Sequence, residues 1–350
     1  MKAAADAGRT AAEATAERVR LSPRPENSLP TISVVAPAYD EEAVIGEFYR
    51  RVTETLSAIG APYEIVLVND GSKDMTLPLM HAMRASDPRV TVVDLSRNFG
   101  KELALSAGLD HTSGDVVVVL DADLQDPPEL IPELLAGWRQ GYDVVYGVRS
   151  HREGESWMKK TTAQLFYRFI RRVSRVDIPQ NTGDFRLMTR RVVHELSGLR
   201  EQHRFMKGLF AWVGFPAKPM LYRRQPRLAG QSKWSYWHLW NLALEGITSF
   251  TIGPLKIATY LGLSVAVLSL LYAAVVIWKT LMYGDAVRGY PSLMAVVLFL
   301  GGVQLISVGV LGEYIGRIFD EVKQRPLYLV NHVLPSQLRE PASDPPSDSS

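Results

Sequence analysis

The chain alternates between short, nearly unbroken apolar runs and longer stretches in which apolar residues recur every three or four positions. "TISVVA" (31–36), "EIVLV" (64–68), "VTVVDL" (90–95), "VVVVL" (116–120) and "DVVYG" (143–147) are the short runs. Between 41 and 59, Val44, Ile45, Phe48, Val52, Leu56 and Ile59 keep one face at helical spacing. Similar patterns predict helices near 75–86, 100–111 and 130–140, and Pro37 is expected to interrupt the first strand. Strands that are apolar on both faces and alternate with helices predict an α/β domain built on a mainly parallel, Rossmann-like sheet.

Two later segments differ in kind. Residues 257–278 and 292–312 carry no charged side chain. About 20 helical residues cross a hydrocarbon core, so both are expected to be transmembrane helices. Arg223, Arg224, Arg227, Lys233 and Lys256 precede them, and Arg317, Lys323 and Arg325 follow. By the positive-inside rule, both flanks and both termini face the cytoplasm, and the short link lies outside. Residues 1–28 lack the apolar stretch of a signal peptide and predict a disordered tail; "EPASDPPSDSS" predicts another at the end.

Composition adds little beyond exclusions. Lys+Arg 39 against Asp+Glu 37 gives a net +2, with no basic excess for nucleic acid. The absence of cysteine rules out disulfides and thiolate metal sites.

Charge becomes informative where the strands end. Asp40, Glu41 and Glu42 follow the first strand, Asp70 the second, Asp94 and "SRNFGK" close the third, and Asp121 and Asp123 follow the fourth. Ligands bind parallel sheets beyond the carboxyl ends of the strands. Neither a P-loop nor a G-x-G-x-x-G is present after the first strand. Phosphates held without a glycine cradle can instead be held through Mg²⁺ or Mn²⁺ on oxygen ligands. Asp121-x-Asp123 suits such an ion, and Gln125 can add a carbonyl oxygen.

Six blocks in order, "VVAPAYDEEAVI", "VLVNDGSKDMT", "LSRNFGKELALSAGL", "VVVLDADLQDPPELIPEL", "DFRLMTRRVV" and "GQSKW", resemble the GT-A-fold family 2 glycosyltransferases. The resemblance is to the polyprenyl-phosphate branch, and it runs from about residue 31 to 325. It implies a GT-A domain over 29–225, interfacial helices over 226–254, two transmembrane helices within 255–325 and a cytoplasmic tail over 326–350. It further implies that Pro37, Tyr39, Glu41 and Asp70 line the base pocket and that Asp121 contacts the nucleotide. Asp123 and Gln125 would hold the metal, while Arg149 and Lys233 would bind the diphosphate and the acceptor phosphate. Asp40 stands where the family commonly has Asn.

The implied reaction is inverting transfer of one sugar from a nucleotide-sugar to a polyprenyl phosphate at the inner (cytoplasmic) membrane. UDP-glucose is the favoured donor; other UDP- and GDP-sugars stay open, as does a homo-oligomer such as a tetramer. Asp184 has two readings: a structural partner for Arg186, or a catalytic acid facing the acceptor. The second requires cations beside it, because a bare carboxylate repels phosphate.

The basic, aromatic segment 157–172 and Trp212, Trp234, Trp237 and Trp240, four of the seven tryptophans, suit the bilayer interface. A processive polysaccharide synthase of the same fold is disfavoured, since "QHRF" (202–205) departs from Q-x-x-R-W. A non-catalytic nucleotide-sugar sensor is disfavoured by the retained acids and cations.

Overall fold

The computed structural model describes residues 21–25, 28–150, 182–202, 204–225, 253–283 and 289–336. The interfacial segments 157–172 and 226–252, and with them Lys233, lie outside the described residues. The chain divides into two compact units, one holding the sheet and one holding the two long C-terminal helices.

In the first unit, β1 (Ile32–Ala38), α1 (Ile45–Ile59), β2 (Tyr63–Asn69), α2 (Thr76–Ser86), β3 (Val90–Leu95), α3 (Lys101–Asp110) and β4 (Val116–Val119) follow in alternation. A short 3-10 turn (Pro128–Leu130) leads into α4 (Ile131–Arg139) and β5 (Val144–Arg149). Then come β6 (Thr182–Thr189), α5 (Arg190–Gly198), α6 (Met206–Trp212) and β7 (Ala217–Tyr222), and the chain returns after the long helices as β8 (Val330–Leu334). The eight strands form one sheet in the order β7-β5-β6-β4-β1-β2-β3-β8. The pairs β1–β2, β1–β4, β2–β3 and β5–β7 are parallel, whereas β6 and β8 run against their neighbours.

Helices on both faces explain why β1 to β4 are buried at every position. α1 presents Ile45, Phe48, Val52 and Leu56 to the core, and each such side chain contributes about 1.5–3 kcal/mol relative to exposure.

Pro37 does not end β1, which continues to Ala38. Leu120 donates its N–H to the Val35 carbonyl, so the backbone polar groups of alternate residues 35 and 37 face β4. The ladder to β4 ends at Val35↔Val119, so the missing N–H of Pro37 breaks no bond.

Two strands escape the sequence pattern. β7 contains Lys218 and Pro219 at a half-exposed edge, and β8 is interrupted by the polar pair Asn331 and His332. The expected N-terminal tail also stops short of residue 28, since Arg24 stacks on Trp138 and pairs with Asp143 at 3.2 Å.

β8 is latched to the sheet by a buried carboxylate. Glu64 accepts from Ser33 Oγ (2.6 Å), the Ser113 amide (2.6 Å) and Ser336 Oγ (2.9 Å). Ser336 in turn donates its amide to Thr91 Oγ1, and Arg84 donates to the Pro335 carbonyl.

The second unit contains α7 (Gly253–Tyr283, 31 residues) and α8 (Tyr290–Val322, 33 residues), which contact each other. Large apolar side chains lie exposed along both, including Leu263, Leu271, Trp278, Leu305 and Ile315. Among the described residues one span, Phe299–Val322, is long and apolar enough to cross a membrane, with mean hydropathy 1.4. It lies further along the chain than the expected 292–312 segment.

Candidate functional site

The topology gathers the polar strand ends at one rim. β1 to β5 and β7 finish there, while β6, antiparallel to β4, begins there. The register Val119↔Arg186 carries Asp184 to the end of β4, beside Asp121. Arg149 and Tyr222 are paired neighbours at the ends of β5 and β7.

The loops after β1 and β2 are joined by side-chain bonds to backbone. Ser72 Oγ accepts from the Asp40 amide, Asp40 Oδ1 from the Lys73 amide, and Thr76 Oγ1 from the Glu41 amide. Asp40 has φ +52°, a left-handed conformation that Asp and Asn both tolerate. Asn would keep the Oδ1 acceptor, so the Asp at this position is structurally conservative. Pro37 is buried in β1, and Tyr39 and Glu41 are half-exposed at the rim.

Asp70 organises the next loop. Its two oxygens accept the amides of Phe99 (2.7 Å) and Gly100 (3.0 Å), which fixes the entry to α3. Burial pushes its pKa up, and those two amides and Arg97 pull against that shift. Gly71, at φ +69°, lets the loop pass: a Cβ there would lie 2.5 Å from Arg97 and Asn98 backbone atoms.

After β4 the chain turns sharply. Asp123 Oδ1 accepts the amide of Gln125 at 3.1 Å, and Leu124 sits at φ +56°. That conformation costs on the order of 1 kcal/mol and is held by burial of the Leu124 side chain in the core. Asp123 is buried, Gln125 half-buried, and the Gln125 carbonyl accepts the Gln225 amide beyond β7.

Lys101, the first residue of α3, joins two acids. Its Nζ lies 2.7 Å from Asp121 Oδ1 and 2.6 Å from Asp184 Oδ2. Burial works against the ammonium charge, but the two carboxylates more than offset it and raise the Lys101 pKa. Burial likewise opposes the Asp184 charge, and Lys101, Lys207 and Arg186 overcome it, leaving that carboxyl well below the usual range. Glu102 lies behind them and accepts the Met206 amide; burial, reinforced by Asp184, pushes its pKa up to about 7.

Arg186 holds the backbone rather than the carboxylate of Asp184. Its guanidinium donates to the carbonyls of Gly183 (2.9 Å) and Asp184 (3.2 Å) and stacks on Phe210 at 3.5 Å.

Arg149 passes close to Gly183, where a Cβ would stand 2.8 Å from its terminal nitrogen. It faces the Asp126–Tyr222 pair, in which the Tyr222 hydroxyl donates to Asp126 Oδ1. Burial, with Asp121 nearby, raises the Asp126 pKa; Tyr222, Arg149 and Arg224 oppose the shift.

The rim thus brings together Pro37, Tyr39, Glu41, Asp70, Asp121, Asp123, Gln125, Arg149 and Asp184. Sequence reasoning missed Lys101 and Tyr222. Lys101 was visible at the end of "SRNFGK", but nothing local marks its partners.

The chain is similar to known proteins over most of its length. Residues 33–197 match the family model described as glycosyl transferase family 2, and residues 253–318 match that of the GtrB C-terminal hairpin. A Synechocystis protein named as an uncharacterized glycosyltransferase is 55% identical over 300 residues, covering 86% of this chain and 94% of its own. The bactoprenol glucosyl transferase of Shigella phage SfII is 52% identical over 299 residues, covering 85% and 97%. A prophage bactoprenol glucosyl transferase homolog of Escherichia coli K12 is 48% identical over 302 residues, covering 86% and 99%.

Proposed function

This chain belongs to glycosyltransferase family 2, and from that premise we propose that it transfers one glucose from UDP-glucose to a polyprenyl phosphate at the cytoplasmic membrane face. The observation that carries the reading is the rim itself, where Asp121, Asp123 and Asp184 meet Lys101 and Arg149. Relatives that match nearly end to end and are named for glucosyl transfer to bactoprenol support the choice of sugar and acceptor.

In this reading a phosphate oxygen of the acceptor attacks the anomeric carbon from the face opposite the diphosphate. One C–O bond forms, the C–O bond to UDP breaks, and UDP leaves with the electron pair. The configuration inverts. A phosphate monoester is largely ionised near neutral pH, so the site needs positioning and charge compensation more than a strong base. Asp184, kept ionised by the cations around it, helps to orient the phosphate through them, while Arg149 faces the leaving diphosphate.

A divalent cation fits the donor set. Mg²⁺ and Mn²⁺ take oxygen ligands, and the turn after β4 offers oxygen donors in the buried Asp123 carboxylate and the half-buried Gln125. Asp123 and Gln125 would hold Mg²⁺ or Mn²⁺, which supplies charge compensation for the departing diphosphate.

Both α7 and α8 are read as membrane-embedded, because their exposed apolar side chains have no partner of their own kind in water. The test is transfer of label from UDP-[³H]glucose to undecaprenyl phosphate by the purified protein in detergent. One glucose per lipid, released UDP and loss of activity in EDTA are expected. No lipid product with any UDP- or GDP-sugar, or several sugars per lipid, would overturn the reading.

A further inference from the structure

We propose that Asp94 is a positioning residue of the donor site, acting through Asn69 and Ser72 on the loop that lines the base pocket. The proposal rests on the functional reading above, in which Tyr39 and Glu41 belong to that pocket. It gives a role to a rim acid that the reading leaves without one.

Asp94 stands near the end of β3, opposite Asn69 of β2 on one side and His332 of β8 on the other. It is 7% exposed, and Asn69 is 1% exposed. Both carboxylate oxygens meet side-chain amides. Oδ1 accepts from Asn69 Nδ2 at 2.7 Å, and Oδ2 accepts from Asn331 Nδ2 at 3.3 Å. β8, the strand that follows the helical hairpin, thus supplies the acid's second partner.

The chemistry of the acid sets the direction of the Asn69 amide. A carboxylate only accepts, so Asn69 turns its Nδ2 toward Asp94 and its Oδ1 away. That Oδ1 accepts the Ser72 amide at 3.2 Å and closes the turn after β2. Ser72 Oγ in turn accepts the Asp40 amide at 3.1 Å, and Asp40 Oδ1 accepts the Lys73 amide at 2.9 Å. A continuous series of hydrogen bonds therefore runs from β3, across the turn after β2, to the loop after β1.

The series ends where the backbone is under strain. Asp40, at φ +52°, lies between Tyr39 and Glu41, and the same turn holds both its amide and its carboxylate. With an apolar side chain at position 94, Asn69 loses the acceptor that selects its orientation. Turned over, it would present Nδ2 to the Ser72 amide, donor against donor. The turn would then release Asp40 and the residues that flank it. A purely structural clasp is the competing reading, and it predicts lost stability alone.

The experiment uses the full-length protein in detergent and compares wild type, Asp94→Val, Asp94→Asn and Ser72→Ala. It measures the Kd of UDP with Mn²⁺, KM for UDP-glucose and for undecaprenyl phosphate, kcat and melting temperature. Asp94→Val is expected to raise the UDP Kd and the donor KM about tenfold, with acceptor KM and kcat at saturating donor within about twofold. Asp94→Asn keeps an acceptor oxygen and is expected to bind UDP as wild type does. Equal losses in Asp94→Asn and Asp94→Val would show that charge acts rather than the hydrogen bond, and would overturn the proposal. A lower melting temperature with unchanged UDP Kd in Asp94→Val would overturn it too.

Ser72→Ala breaks the series at its far end, on a half-buried turn, and so tests it without disturbing the interior. It should weaken UDP binding, and Asp94→Val/Ser72→Ala should bind UDP no worse than Asp94→Val alone. Unchanged UDP affinity in Ser72→Ala, or losses that add in the double variant, refute the proposal whatever Asp94→Val does. If wild type forms no lipid-linked sugar, the functional reading fails; if it does so and Asp94→Val binds UDP equally well, this inference alone fails.

Discussion

Glu102 and Asp184 are neighbouring acids whose surroundings drive their proton affinities in opposite directions. Asp184 keeps its charge because Lys101 sits 2.6 Å away, while Glu102 has its pKa raised from 4.5 to about 7 by burial and by the charge of Asp184. Between those two values the native state holds a proton that the unfolded chain has released, so stability falls as pH rises across the window. Asp184 acts in the other sense, with stability lost as pH falls below its ordinary carboxylate range. Glu102→Gln should remove the first slope. Its melting temperature relative to wild type is expected to rise between pH 5 and pH 8, as read by thermal scans in detergent; parallel profiles would show that Glu102 does not titrate there. At this scale the sequence was half legible. Asp121, Asp123 and Asp184 stand in recognisable motifs, but the salt bridges of Asp121 and Asp184 to Lys101 require α3, β4 and β6 to converge, and no local pattern encodes that convergence.

Elements were legible in proportion to how completely they are buried. β1 to β4 carry apolar residues on both faces because helices cover both sides, so each reads as an unbroken run. The edge strands β7 and β8 are half exposed, and their composition follows solvent as much as the sheet. β8 instead owes its place to the bonds around Glu64. That carboxylate accepts from three donors on three segments, and hydrogen bonds to a charged group contribute about 1.5–3 kcal/mol each. Glu64→Ala removes the acceptor of the buried Ser33 and Ser336 hydroxyls and of the Ser113 amide. It should lower stability by about 3 kcal/mol or more while kcat at low temperature stays within about twofold, because Glu64 sits near the start of β2, away from the rim. A large fall in kcat with an unchanged melting temperature would contradict this separation.

Across the whole molecule, a cytosolic nucleotide-sugar, as proposed, and the basic flanks of α7 and α8 call for the same orientation. The natural chain has no cysteine, so single cysteines can report it without background. Gly284→Cys should react with an impermeant thiol reagent in intact cells, and Ser343→Cys should react after lysis alone. The reverse pattern would put the rim on the side without nucleotide-sugars. β8 adds a constraint of another kind, set by the order in which the polypeptide is made. Residues 330–336 leave the ribosome after both long helices have done so. Until they arrive, β3 offers an open strand edge of the sort that recruits other chains, and Glu64 lacks Ser336. The sheet is thus closed last, by the segment that follows the helical hairpin. A nascent chain stalled before that segment presents an aggregation-prone edge to the cell's quality control in place of a finished enzyme.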